Sequence, residues 1–333
     1  MSNNHAIAII GAGHGAGQAV LSLRQKGHAG PLTLIGEEPY VPYQRPPLSK
    51  AYLAGELSLD RLYFKPSDFY AQKDVNLMLS TRAVHLDRSA KRIELEDGRH
   101  VDYDQALIMT GSRVRRLNVP GIDLPGVHYL RNIADVDAIR EHFGTGANLV
   151  VVGGGYIGLE VAAIAVKRGL NVTVLEAADR VMPRVVGAEV SAFFERVHGE
   201  EGVDLRTGMG VTGFAGTGKL ERVICANGEE LDADVAVVGV GILPNQELAA
   251  DAGLKTENGI VVDACCRTED PHIFAAGDCT WHPNEIYGRH MRLESVHNAL
   301  EQAKTAALAM LGEDKPYNQV PWFWSDQYDI KFQ

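Results

Sequence analysis

Uninterrupted apolar runs of four or five residues recur along the chain, each followed by a stretch with helical spacing. Residues 6–10 (Ala-Ile-Ala-Ile-Ile) and 149–152 (Leu-Val-Val-Val) are apolar at every position. Such runs suit strands buried on both faces, as in a parallel sheet, rather than strands with one wet face. Residues 18–26 and 159–168 then carry helical patterns, and residues 32–35 (Leu-Thr-Leu-Ile) and 172–175 (Val-Thr-Val-Leu) return to strand character. The pattern predicts two strand–helix–strand units of an α/β chain, with a further strand over residues 259–263.

Each unit opens on a glycine fingerprint: Gly11-Ala-Gly13-His-Gly15-Ala16 in the first, Gly153-Gly-Gly155-Tyr156-Ile157-Gly158 in the second. A lone fingerprint of this kind is weak, because turns need glycine for other reasons. Two copies, each between a buried strand and a helix, are much stronger. The glycines let the backbone turn and approach a pyrophosphate, the small last residue lets helix and strand pack closely, and the helix N-terminus faces the phosphate charge. Alanine is permitted at that last position, so Ala16 is a small departure. An acid after the second strand is expected to bond the ribose hydroxyls, which nominates Glu37 and Glu176.

Composition narrows the picture. With 333 residues, two or more domains are expected. The apolar share of 45% and charged share of 23% are those of a globular protein, and a net charge of −11 argues against nucleic-acid binding. No apolar run reaches membrane-spanning length and no signal-peptide pattern precedes the first strand, so no membrane partner and a cytoplasmic location are expected. The four cysteines, Cys225, Cys265, Cys266 and Cys279, lack metal-ligand spacing. Reduced, buried thiols are expected, with Cys265 and Cys266 on opposite faces of an extended segment.

On these fingerprints, and on Arg45-Pro-Pro-Leu-Ser-Lys50, Leu107-Ile-Met-Thr-Gly111, Gly239-Val-Gly-Ile-Leu-Pro-Asn245, Ile273-Phe-Ala-Ala-Gly-Asp278, Leu293-Glu-Ser-Val296 and Pro321-Trp-Phe-Trp-Ser-Asp326, the chain resembles the FAD-dependent, NADH-using ferredoxin reductases of bacterial oxygenase systems. The resemblance implies two Rossmann-like dinucleotide-binding domains in a glutathione-reductase-like arrangement, the FAD domain being split by the NAD domain. It places the FAD domain at 1–114 and 243–320 and the NAD domain at 115–242. Residues 321–333 would then begin a C-terminal domain of which the sequence carries only the start, either because it is a piece of a longer protein or because the protein lacks most of that domain.

It also implies roles. Gly11, Gly13, Gly15, Ala16, Glu37, Arg45, Lys50, Thr110, Gly111, Arg113, Asp278, Val296 and Trp324 are expected at FAD. Asp278 would accept from the ribitol hydroxyls, or alternatively cap a helix. Arg45 and Arg113 offer forks to the pyrophosphate, with a solvated surface arginine as the rival reading. Gly153, Gly155, Tyr156, Ile157, Gly158, Glu160, Glu176, Arg184 and Gly241 are expected at NADH, Glu176 repelling the 2′-phosphate of NADPH. Lys50 and Glu160 form the expected mechanistic pair, Lys50 near flavin N5 and Glu160 holding it; a plain salt bridge between domains is the competing reading.

The electron acceptor implied is a [2Fe–2S] ferredoxin serving an oxygenase such as a cytochrome P450, with Arg289 and Arg292 steering it and a monomer or weak dimer as the oligomeric state. No cysteine precedes Cys225, which argues against disulfide reduction beside the flavin. An NADH oxidase, a quinone or rubredoxin reductase, or a redox-sensing binding protein similar to apoptosis-inducing factor would use the same motifs.

Overall fold

The apolar runs at residues 6–10 and 149–152 become the middle strands of two separate parallel sheets. The computed structural model describes residues 4–333. Contacts divide the chain into two units: Met1–Gln44, Asp60–Arg113 and Pro244–Phe323 form the first, and Arg45–Leu59, Val114–Leu243 and Trp324–Gln333 form the second.

In the first unit five strands lie in the order Ile273–Ala275, Gln105–Ile108, Ile7–Ile10, Leu32–Ile35, Val75–Met78. Neighbours are parallel, with Ile7 opposite Leu32 and Gln105. Alternate side chains enter two cores, as the pleat requires. Ile7, Ile9, Leu32, Leu34 and Leu107 pack with the helices His14–Gln25 and Val296–Met310. Ala8, Ile10, Ile35, Ala106 and Ile108 pack on the other face with Leu86, Ile93 and Leu95 of a three-stranded antiparallel sheet.

The second unit repeats this plan. Its strands run Asp204–Arg206, Asn171–Leu175, Asn148–Val152, Val235–Val238, Val127–Tyr129, all parallel. One face carries Phe214 and Val223 of a second antiparallel three-stranded sheet, with Leu220 from the loop joining two of its strands, against Val150, Val152 and Leu175. The helix Tyr156–Lys167 follows the middle strand and buries Leu159, Val161, Ala162 and Ala165.

Two segments group differently from expectation. Residues 45–59 belong with the second unit, because Leu48, Ser49 and Leu53 are buried there and the Tyr52 hydroxyl donates to Asp137 at 3.0 Å. Residues 324–333, expected to open a separate domain, form the hairpin Ser325–Gln327/Ile330–Phe332 in the second unit, where Phe332 lies against Tyr156 and Phe194. The strand expected over residues 259–263 ends at Val261; Cys265 and Cys266 sit in the turn beyond, Cys266 with φ +64°. Both cysteines enter the same core, so the opposite-faces expectation fails with the strand that it assumed.

Candidate nucleotide-binding sites and a lysine held by a buried glutamate

The two fingerprint loops have the same backbone. Gly11 and Gly153 have φ of +111° and +108°, and their N–H groups donate to the carbonyls of Ile35 and Leu175, each at 2.8 Å. A methyl group at Gly11 would lie 2.3 Å from the Met109 carbonyl oxygen, and one at Gly153 would lie 2.5 Å from that of Gly239. Only glycine fits here. At Gly13 and Gly155 the reverse holds: no described atom lies within 4 Å of where a side chain would begin. Both residues open helices without a side-chain cap, whereas Asn132 and Ser295 cap theirs. Uncapped N–H groups beside open backbone are suited to an anion.

The last fingerprint position packs tightly in both copies. Ala16 is buried, and a methyl at Gly158 would meet the Gly153 carbonyl oxygen at 2.1 Å. Gly15 is also constrained by packing. A side chain there would strike Met109 Cε at 2.7 Å and the Ala299 carbonyl oxygen at 3.0 Å, so this glycine serves packing against the helix Val296–Met310. At the matching place in the second unit stands Ile157, 41% exposed.

Glu176 follows the second strand and its carboxylate accepts from the N–H of Gly154 at 2.7 Å and of Ala178 at 2.8 Å. It thus braces the fingerprint loop while retaining acceptor capacity. Glu37 is not its counterpart by backbone. Glu176 N–H donates to Arg206 O, and in the first unit the equivalent bond, to Met78 O, comes from Gly36. Glu37 is one residue farther along and exposed.

Lys50 and Glu160 meet within the second unit. Lys50 Nζ lies 2.7 Å from Glu160 Oε2, and Ser49 Oγ donates to the same oxygen at 2.5 Å. Ser325 Oγ donates to Oε1 at 2.6 Å. The glutamate side chain is 3% exposed, so it relies on these partners in place of water. Ser49 and Ser325 lie inside the quoted motifs, yet nothing in the sequence assigns them to Glu160. Tyr156, one turn before Glu160, is half-buried, and burial, then the nearby Glu160 charge, pushes its phenol up.

The other expected residues are placed as follows. Thr110 Oγ1 donates to Asn245 O at 2.6 Å and Asn245 Nδ2 returns a bond to Thr110 O at 2.9 Å, which pins the turn at Gly111, φ +63°. Asp278 follows Gly277, φ +86°, and accepts from Ser112 Oγ at 2.9 Å; it stands in a turn before the strand Thr280–Asn284 and caps no helix. Val296 begins its helix behind the Ser295 cap, and Trp324 is half-buried in the second unit. Arg45 belongs to the second unit and donates to Arg131 O at 2.7 Å. Arg184 is exposed beside Gly241, φ +104°.

Two arginines depart from expectation. Arg113, expected to stand open, is engaged by Glu247 at 2.7 Å and by Asn245 at 2.9 Å. Arg292, expected to steer a partner, is only 9% exposed and paired with Glu294 at 2.5 Å, which neutralises it; Arg289 is exposed. All four cysteines are free and buried. Burial pushes the Cys279 thiol up to about 11 and raises Cys225, Cys265 and Cys266 as well, so none is a ready thiolate.

Two units of this construction define a pyridine-nucleotide-linked oxidoreductase. The chain belongs to the pyridine nucleotide-disulphide oxidoreductase family, which it matches over residues 5–303. It is 45% identical to rhodocoxin reductase of Rhodococcus erythropolis across 98% of this chain and 77% of that one. It is 40% identical to a rubredoxin-NAD(+) reductase of Pseudomonas putida across 98% and 86%. Among solved structures, the covalent putidaredoxin reductase–putidaredoxin complex superposes with a TM-score of 0.96 at 42% identity, over 98% of this chain and 80% of that one. Among the described residues no helix is long and apolar enough to cross a membrane.

Proposed function

We propose that this chain is an FAD-dependent reductase that takes hydride from NADH and delivers electrons singly to a [2Fe–2S] ferredoxin of an oxygenase system. The observation that carries the reading is the Lys50–Glu160 pair, a cation held at 2.7 Å by a buried carboxylate, in a chain whose fingerprint loops are duplicated. The open backbone at Gly13 and Gly155 fits a pyrophosphate in each unit. Gly11, Gly13, Glu37, Thr110, Gly111, Asp278 and Val296 would hold FAD; Gly153, Gly155, Tyr156, Gly158, Glu176 and Gly241 would hold NADH. Bound FAD supplies the conversion from two-electron to one-electron chemistry.

The residues of the chain position and stabilise. Glu160 keeps the Lys50 ammonium oriented, and that ammonium favours negative charge placed against it. Glu176 offers acceptor oxygens to ribose hydroxyls and repels an added phosphate, which favours NADH over NADPH. Buried, protonated thiols and the absence of cysteine before Cys225 support an exit for the electrons other than a dithiol. Rubredoxin is the second acceptor to consider, because a 40% identical relative carries that name.

The test is anaerobic, NADH-driven reduction of purified [2Fe–2S] ferredoxins and rubredoxins by the FAD-loaded protein. Fast reduction of one ferredoxin is expected, and Lys50→Ala should slow flavin reduction at saturating NADH by on the order of tenfold. Bleaching of the flavin with reduction of rubredoxin alone, or of neither acceptor, would contradict the ferredoxin assignment. An unchanged rate in Lys50→Ala would remove Lys50 from the mechanism.

A further inference from the structure

Beyond Glu160 the second unit contains a line of buried polar side chains that the hydride-transfer reading does not use. Ser325, whose Oγ donates to Glu160 Oε1, accepts from Gln327 Nε2 at 3.1 Å. Gln327 Oε1 lies 2.8 Å from His198 Nε2, and His198 Nδ1 lies 3.0 Å from the Tyr328 hydroxyl. Ser325, Gln327 and His198 are each no more than 1% exposed. Buried polar groups are costly unless each is satisfied, and here each link satisfies the next.

The chemistry gives the line one direction. The Glu160 carboxylate only accepts, so the Ser325 hydroxyl proton must point to it, leaving the Ser325 oxygen to accept from the Gln327 amide NH2. The Gln327 carbonyl oxygen therefore faces His198, which must carry its proton on Nε2 and accept from Tyr328 at Nδ1. Burial lowers the His198 pKa, consistent with a neutral ring. All the dipoles thus end on one carboxylate oxygen, while Ser49 and Lys50 occupy the other. A primary amide in the middle passes no proton without becoming an imidic acid, so the line orients rather than conducts.

We infer that Ser325, Gln327 and His198 are positioning residues, which lock the Glu160 carboxylate in the rotation that holds Lys50. The elements involved are distant in sequence: the helix Ala188–Glu200 supplies His198 and the hairpin Ser325–Phe332 supplies the rest. The hairpin therefore acts as a clamp on the lysine–glutamate pair. The kinetic part of this inference rests on the role proposed above for Lys50; the geometric part does not.

The test uses the FAD-loaded protein carrying Ser325→Ala, with Gln327→Leu as a second variant should the first fold poorly. Flavin reduction at saturating NADH should fall about tenfold, as expected when a reacting group is slightly misplaced, with the apparent Kd for NADH unchanged. Ser325→Thr, which keeps the hydroxyl, should restore the rate. In a Lys50→Ala background Ser325→Ala should have no further effect, because the line acts only through that pair. Crystal structures of Ser325→Ala and Gln327→Leu should show the Lys50–Glu160 contact opened from 2.7 Å to beyond roughly 4 Å. An unmoved contact in both variants, or rate losses that multiply in the double variant, would overturn the inference. If Lys50→Ala alone reduces flavin at the parental rate, the proposed role of Lys50 fails, and the crystal contact still decides whether the line positions Glu160.

Discussion

The first and second units share a frame almost bond for bond and differ where side chains enter it. Both have a middle strand leading into an uncapped helix, a first glycine near φ +110° and an antiparallel three-stranded sheet on one face. They differ in where the outermost strand comes from: Ile273–Ala275 enters the first sheet late in the chain, whereas Val127–Tyr129 enters the second before its fingerprint. They differ again at the helix start, where Gly15 lies under a packed helix and Ile157 faces outward, and at the second strand, where Gly36 occupies the place of Glu176. The lesson is that the two units share one backbone frame and that one or two side chains set them apart at the place where the proposed nucleotides would lie.

The sharpest way to break the comparison is at the last fingerprint position. Gly158→Ala forces a methyl within 2.1 Å of backbone and should cost at least about 3 kcal/mol in thermal or denaturant unfolding. Ala16→Gly only loosens a helix and should cost roughly 1 kcal/mol. Equal losses would mean that the two turns are packed alike.

Acidification tests a buried histidine of the first unit next. His282 of the first unit is buried with Nε2 lacking a partner among the described residues, whereas His198 of the second is bonded at both nitrogens. Burial lowers His282 to about 4 from an ordinary value of 6.5. Between those values the unfolded chain binds a proton that the folded unit does not. Stability is therefore full above about pH 6.5 and falls as pH drops toward 4, by on the order of 3 kcal/mol. Unfolding monitored against pH should show this slope, and His282→Phe should make it shallower, leaving the part contributed by His128 and His198, which burial also lowers. A slope unaffected by that change would place the titration elsewhere.

A smaller effect sharpens the difference at Glu176. Glu176→Gln keeps an acceptor for the Gly154 N–H and removes the charge, so the preference for NADH over NADPH should narrow by on the order of tenfold in kcat/KM. An unchanged ratio would assign the preference to Arg184 or to another residue near the ribose.

Much of this was legible in the sequence, and for local reasons. The fingerprints, the flanking strands and Glu176 depend on contacts within one strand–helix–strand unit, where spacing fixes geometry. The helices begin at His14 and Tyr156, ahead of the predicted starts, because apolar periodicity only becomes visible after the first turn. What stayed hidden depends on distant partners. The packing of Gly15 against Ala299 and the pairing of Arg292 with Glu294 are two such contacts. Glu37 has suitable spacing, yet register gives the position of Glu176 to Gly36. The line from Tyr328 through His198, Gln327 and Ser325 to Glu160 joins three stretches of chain that no local pattern connects.

The central claim is that the first unit holds FAD and the second holds NADH. Gly11→Ala and Gly153→Ala place the same obstruction in matching loops, so comparing the flavin content of each purified variant with its bleaching by NADH tests that claim directly. Gly11→Ala should lose FAD; Gly153→Ala should stay yellow and require at least about tenfold more NADH to bleach. A colourless Gly153→Ala beside a yellow Gly11→Ala that responds poorly to NADH would reverse the assignment.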